Sequence, residues 1–204
     1  MKRVCISTYC EWSSYGSVMQ ALGLKKCLSD LEYDSFIIRD VPAPLSNKTF
    51  SCPISLNPKT MLKGFLSRNA RKQRSLLYAN SVKFIRENLD IRYYNDYNAL
   101  CKCVPSADFY LAGSDQIWHP SLCKRAFFLD FLPTKQKRLS YAASMGITLL
   151  PEDKKELFVE MISKFDSISV REEEMAEILT HAAFYAGWPK AWAAFRMAKE
   201  IYQD

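Results

Sequence analysis

The sequence predicts an α/β fold, a parallel sheet with helices on both faces. Three observations carry that expectation. Short apolar runs alternate with longer amphipathic stretches, the pattern of successive βαβ units. Of only six glycines, Gly16, Gly113 and Gly146 fall where a strand ends or a helix begins. The composition, 49% hydrophobic and 25% charged over 204 residues, is that of a globular chain with a substantial core and excludes a disordered, collagenous or coiled-coil protein.

Taken in order, Arg3–Thr8 reads as a short buried strand, followed by a loop at Tyr9–Ser14 and a helix from about Gly16 to Leu31. Tyr33–Arg39 is the second strand. Four prolines between Val41 and Pro58 lack the amide hydrogen a regular element needs, so that stretch is a connection. A long basic helical region follows, broken near Gly64–Asn69, then a short helix around Asp96–Cys103. Asp108–Ala112 is a strand ending at Gly113, and Lys137–Ala143 is another. Pro151–Lys164 is an amphipathic helix with Pro151 at its first position. Ser167–Val170 reads as a strand too short to be anything but a central parallel one, and the chain is helical again from Glu172.

Charge is concentrated. The 28 Lys and Arg against 22 Asp and Glu give a net +6, yet the segment from Lys59 to Arg92 alone holds nine basic residues against Glu87 and Asp90. This is either a basic face for an anionic partner or the solvated side of a helix whose apolar residues recur at helical spacing. No nucleic-acid reader motif accompanies it, so no nucleic-acid partner is expected. The seven cysteines include no Cys-x-x-Cys pair and no His at finger spacing, against both a disulfide framework and a zinc site, and no metal is expected. Cys101 and Cys103 are read as buried, inert thiols rather than a redox pair. No run approaches the roughly 20 apolar residues of a membrane span, and the N-terminus lacks a signal-peptide pattern, so a cytoplasmic location is expected.

Three loops can carry chemistry. The first, Ser13–Leu22, leads a small-residue turn into a helix. Its amides at Gly16 suit an anion, and Tyr15, Ser17 and Gln20 suit sugar hydroxyls. The second, Leu111–Pro120, runs a strand into Gly113, Ser114, Asp115 and Gln116. Asp115 can accept a proton from a substrate hydroxyl and Trp118 can stack on a sugar ring. The third, Ser167–Glu174, puts Arg171 beside a helix start, where it can hold a carboxylate or phosphate. The same residue types also cap helices and turns with nothing bound, and spacing alone leaves both readings open.

In sequence order, the blocks Tyr15–Leu22, Gly113–Pro120, Phe128–Phe131, Leu139–Gly146 and Phe165–Glu172 resemble the N-terminal half of the polysaccharide pyruvyl transferase family over about residues 1–179. His119 stands where relatives usually carry Asn. The resemblance implies one Rossmann-like half of a two-domain, GT-B-like transferase, a bacterial enzyme of glycan or exopolysaccharide biosynthesis. The last stretch, 180–204, resembles the closing helices of the carboxymuconolactone decarboxylase and alkylhydroperoxidase-like family without the Cys-x-x-Cys of its peroxidase branch. It is expected to be a helical tail of different origin with no activity of that kind, packed on the domain or driving self-association through its large apolar residues.

The family reaction, as the resemblance implies it, moves pyruvate from phosphoenolpyruvate onto two hydroxyls of a glycan or glycolipid as a ketal, and needs no cofactor. On that basis Asp115 is the candidate base, Tyr15, Ser17, Gln20 and Trp118 position the acceptor, and Gly16, Gly113, Ser114 and Gln116 line the site. Arg171 would meet the donor anion. With the second domain absent, the expectation is a truncated transferase domain, weakly active or inactive alone. The alternative is a non-catalytic module that binds a glycan or a partner chain.

Overall fold

The computed structural model describes residues 1–45, 68–122 and 124–169. Six strands form one sheet: β1 (Arg3–Ser7), β2 (Asp34–Arg39), β3 (Ile91–Tyr93), β4 (Phe109–Ala112), β5 (Arg138–Tyr141) and β6 (Ser167–Ser169). Their order is β3-β2-β1-β4-β5-β6 and every pairing is parallel. This is the doubly wound, Rossmann-like arrangement, in which each return to the sheet crosses one of its faces.

Side-chain alternation explains why both faces are covered. Val4, Ile6, Ile37 and Leu111 point to one face, where α1 (Tyr15–Asp30) and α2 (Arg68–Asn88) bring Val18, Ala21, Leu24 and Ile85, joined by Leu89 just past the end of α2. Cys5, Phe36, Ile38, Tyr110 and Ala112 point to the other face. There α3 (Tyr97–Lys102), a 3-10 turn at Arg125–Phe128 and α4 (Glu152–Ile162) supply Leu100, Phe127, Phe128, Phe158 and Met161. The second core is aromatic. Phe128 stacks on Trp118 with centroids 5.7 Å apart and planes 7° apart, and meets Phe158 edge-on at 5.3 Å. Below it, the carboxylate of Asp130 ties three elements together, accepting from Arg125 Nε at 2.7 Å, Lys164 Nζ at 2.8 Å and Tyr97 Oη at 3.4 Å.

Several expectations are corrected. Ser167–Ser169 is at the edge of the described sheet, beside β5 alone, because a half-exposed three-residue strand can fill an outer position as readily as a central one. Pro151 precedes α4 as an extended N-cap (φ −55°, ψ 138°) instead of opening it. The short β3 was not anticipated, since three residues cannot display an alternation. Cys101 and Cys103 are exposed, as is Cys27, whereas Cys5 and Cys10 are the buried thiols. Burial pushes Cys5 up to about 12 and Cys10 up to about 11, with Arg92 and Arg39 respectively opposing the shift, so both remain thiols at neutral pH. Arg171, Cys52, Cys123, residues 64–67 of the expected break near Gly64–Asn69 and the expected helical tail at 180–204 lie outside the described residues, while Arg68 and Asn69 already belong to α2. No described helix is long and apolar enough to cross a membrane.

Candidate functional site

In a doubly wound sheet, ligands bind beyond the carboxyl ends of the strands where the order reverses, here between β1 and β4. The chain delivers Thr8 and Tyr9 to that point from β1, and Gly113, Ser114 and Asp115 from β4. Thr8 Oγ1 donates to the carbonyl of Ser114 at 3.0 Å and accepts from Gln20 Nε2 at 3.4 Å, joining α1 to both strand ends.

The loop after β4 is fastened to the loop after β5. The carbonyl of Asp115 accepts from Ser144 N at 3.0 Å and from Ile117 N at 2.7 Å, and Trp118 N donates to the carbonyl of Ser144 at 3.1 Å. An isolated parallel bridge joins Asp115 and Ala143. Backbone conformations are unusual on both sides. Gly113 (φ 117°), Asp115 (φ 85°), Ala142 (φ 49°) and Gly146 (φ 63°) all lie at positive φ, which is costly for the two residues with a Cβ and tends to collect at functional sites. Gly146 leaves room for Gln116, whose side chain a Cβ there would meet at 2.5 Å.

A hollow of about 170 Å³ opens here, lined by Tyr9, Asp115, Gln116 and Leu122. The Asp115 carboxylate accepts from Gln116 N through Oδ1 at 2.8 Å, which fixes its direction. Burial pushes the Tyr9 phenol above its ordinary value, and the carboxylates of Glu11 and Asp115 push it the same way against the Arg39 guanidinium. Tyr9 escaped the sequence reading. Its signal is positional, as the second residue beyond the central strand.

The structure separates the other expected site residues. Gly113, Ser114, Asp115 and Gln116 converge on the crevice, and Gln20 reaches it through Thr8. Tyr15 opens α1 and is 77% exposed, and a Cβ on Gly16 would meet nothing within 4 Å, so space does not demand glycine there. Ser17 is buried within its own turn, where Oγ donates to the carbonyl of Ser14 at 2.9 Å and accepts from Glu11 N at 3.2 Å; it is a capping group without a free face for a sugar. Trp118 is corrected outright. It is 2% exposed, its Nε1 donates to the carbonyl of Phe127 at 3.2 Å, and its ring is sandwiched in the aromatic core, so it offers no platform to a ligand.

A second cavity, of about 280 Å³, lies beyond β1, β2 and β3 and is lined by Trp12, Tyr78, Tyr93 and Arg39 among others. Buried Arg39 donates to the carbonyl of Cys10 and to the Glu11 carboxylate, pinning the β1–α1 loop over the end of β2. Among the described residues no cluster of three His, Cys, Asp or Glu stands ready to hold a metal ion.

Fold and crevice together define an α/β protein of the doubly wound class with a hollow at the switch between β1 and β4. The model of the polysaccharide pyruvyl transferase family matches residues 15–186, and the chain belongs to that family. The match extends past residue 179, where the sequence suggested a boundary. Comparison with curated proteins and with solved structures gave no match.

Proposed function

We propose that this chain is the acceptor side of a pyruvyl transferase, presenting a glycan or glycolipid to phosphoenolpyruvate. The observation that carries this reading is the make-up of the switch crevice, where a carboxylate, a phenol and an amide line the hollow and no Lys or Arg is among its described lining residues. A multiply charged phosphate ester is repelled by such a lining, whereas a neutral, hydroxyl-rich sugar finds acceptors and donors there.

The chemistry sets the roles. Two acceptor oxygens form bonds to C2 of the enolpyruvyl unit, and the bond from C2 to the phosphate oxygen breaks. Of the two protons released by the hydroxyls, one ends on the methylene carbon, making it a methyl group, and one on the departing phosphate. Asp115 receives a hydroxyl proton, and Gln116 and Tyr9 orient the ring that carries it. Arg171 and a second Rossmann-like domain in a GT-B-like arrangement hold the donor, and orientation between the two domains supplies much of such a rate. A bacterial, cytoplasmic enzyme of exopolysaccharide assembly is the setting that fits.

The test is to titrate the labelled chain with a panel of galactosides, mannosides and glucosides and with phosphoenolpyruvate, following the amide signals of Tyr9, Asp115 and Leu122, and to measure phosphate release with both present. Glycans are expected to move these signals and phosphoenolpyruvate to leave them in place, with Asp115→Asn abolishing any phosphate release. Phosphoenolpyruvate shifting the three signals while no glycan does would overturn the assignment. Glycan binding without phosphate release, even when a donor domain is supplied, would favour the binding module.

A further inference from the structure

None of the described residues of the basic segment lines the crevice, and the placement of its helix points elsewhere. The helix α2 carries six Lys and Arg against one acidic residue, Glu87. Tyr78, Val82 and Ile85 form its buried stripe at helical spacing. The opposite side, which ordinarily would be polar throughout, instead presents Leu76 at 55%, Leu77 at 60% and Phe84 at 38% exposure. Leu77 and Phe84 are seven residues apart and so lie on one line, two turns apart, while Lys72 and Lys83 run along one flank, on the side of Leu76. Lys83 is 75% exposed and its pairing with Glu87 is loose, at 3.8 Å.

We propose that the outer side of α2 docks on an anionic lipid surface, with Leu76, Leu77 and Phe84 entering the headgroup boundary and the flanking cations meeting lipid phosphates. An apolar ridge bordered by long basic side chains is the arrangement that lies in a membrane interface, because the stems reach along the apolar zone while the charged heads stay in water. The charge selects among occupants. A second copy would bring another strongly basic helix against the first, and stable dimer interfaces are depleted in Lys. A single-stranded nucleic acid needs aromatic platforms at the ridge, and two of the three ridge residues are leucines. The proposal goes beyond the transfer reaction and stands without it, since it uses no residue of the crevice.

The experiment is co-sedimentation of the full chain with vesicles of phosphatidylcholine alone and of phosphatidylcholine mixed with phosphatidylglycerol. Binding is expected only to the anionic vesicles and to be lost near 1 M salt, where screening acts within about 3 Å. Each cation near such a surface is worth about fivefold in affinity, so Lys72→Glu with Lys83→Glu should weaken binding by at least about tenfold. Leu77→Ser with Phe84→Ser should weaken it as well, and an unchanged thermal melt for both double variants would exclude unfolding as the cause. Absence of binding, equal binding to neutral vesicles, or binding indifferent to both variants would overturn the proposal. So would a dimer in vesicle-free solution that the Leu77→Ser, Phe84→Ser variant dissolves, since it would assign the ridge to a second copy.

Discussion

Gly113 lies so close to Tyr141 that a Cβ on the glycine would come within 2.1 Å of the tyrosine's carbonyl oxygen. That atom belongs to backbone, which cannot swing aside, and Gly113 also has a φ of 117° that other residues rarely adopt. Gly113→Ala should therefore destabilise the fold by about 2 kcal/mol or more. Gly16→Ala should do the opposite, gaining about 0.5–1 kcal/mol because alanine suits the first turn of α1 and its methyl group meets no neighbour. Urea denaturation of the two variants checks the contrast.

Replacing Trp118 separates a core residue from a ligand platform. Trp118→Ala should cost about 3–5 kcal/mol, the usual result of emptying a large buried aromatic site, here one packed against Phe128 and Phe165. A variant that melts normally but binds glycan weakly would contradict the burial of this ring.

The Asp130 cluster predicts a pH dependence of stability. Burial pushes the Asp130 carboxyl up, but the hydrogen bonds and charges of Lys164 and Arg125 more than reverse this and hold it below the ordinary carboxylate value. A depressed carboxyl stabilises the folded state fully above its unfolded value of about 3.9 and loses that contribution as the pH falls through the folded value. Asp130→Asn should accordingly cost about 1–3 kcal/mol at neutral pH, and the cost should shrink below about pH 4. Lys164 has the opposite sign. Its bonds to Asp130 and Glu160 raise it, so its contribution persists through neutrality and disappears only as the pH climbs through its folded value. Denaturation series across acid and alkaline pH measure both limbs.

Tyr9 should titrate above an ordinary tyrosine, because burial and two neighbouring carboxylates oppose its ionisation. Asp115→Asn removes one of those charges and should move the phenol back down. Difference absorbance between each protein and its Tyr9→Phe counterpart isolates this one ring. No downward movement would mean that the phenol and the carboxylate do not share the crevice.

The strands of the sheet centre were legible because β1, β2 and β4 are buried on both faces and read as short apolar runs ending in small or polar residues. The crevice was half legible. Gly113 to Asp115 announce a turn after a strand, but Tyr9 becomes significant only when β4 is known to lie beside β1, a pairing that no local pattern encodes. Trp118 and Ser17 misled for a shared reason. Each follows a polar turn, and whether a residue there faces water or folds back is decided by neighbours outside the turn itself, Phe128 in one case and the Glu11 amide in the other.

The central position of β1 has a temporal consequence. Val4 to Ser7 pair with β4 residues 109–112, and Arg3 N donates to a carboxylate 105 residues further along the chain. At a synthesis rate of about 5–20 residues per second, the ribosome needs roughly 5–20 seconds between making the first strand and making the neighbour that completes it. Through that interval one whole edge of β1 must be met by water or by a chaperone, so the earliest strand to be made waits longer for its second neighbour than any other inner strand of the described sheet.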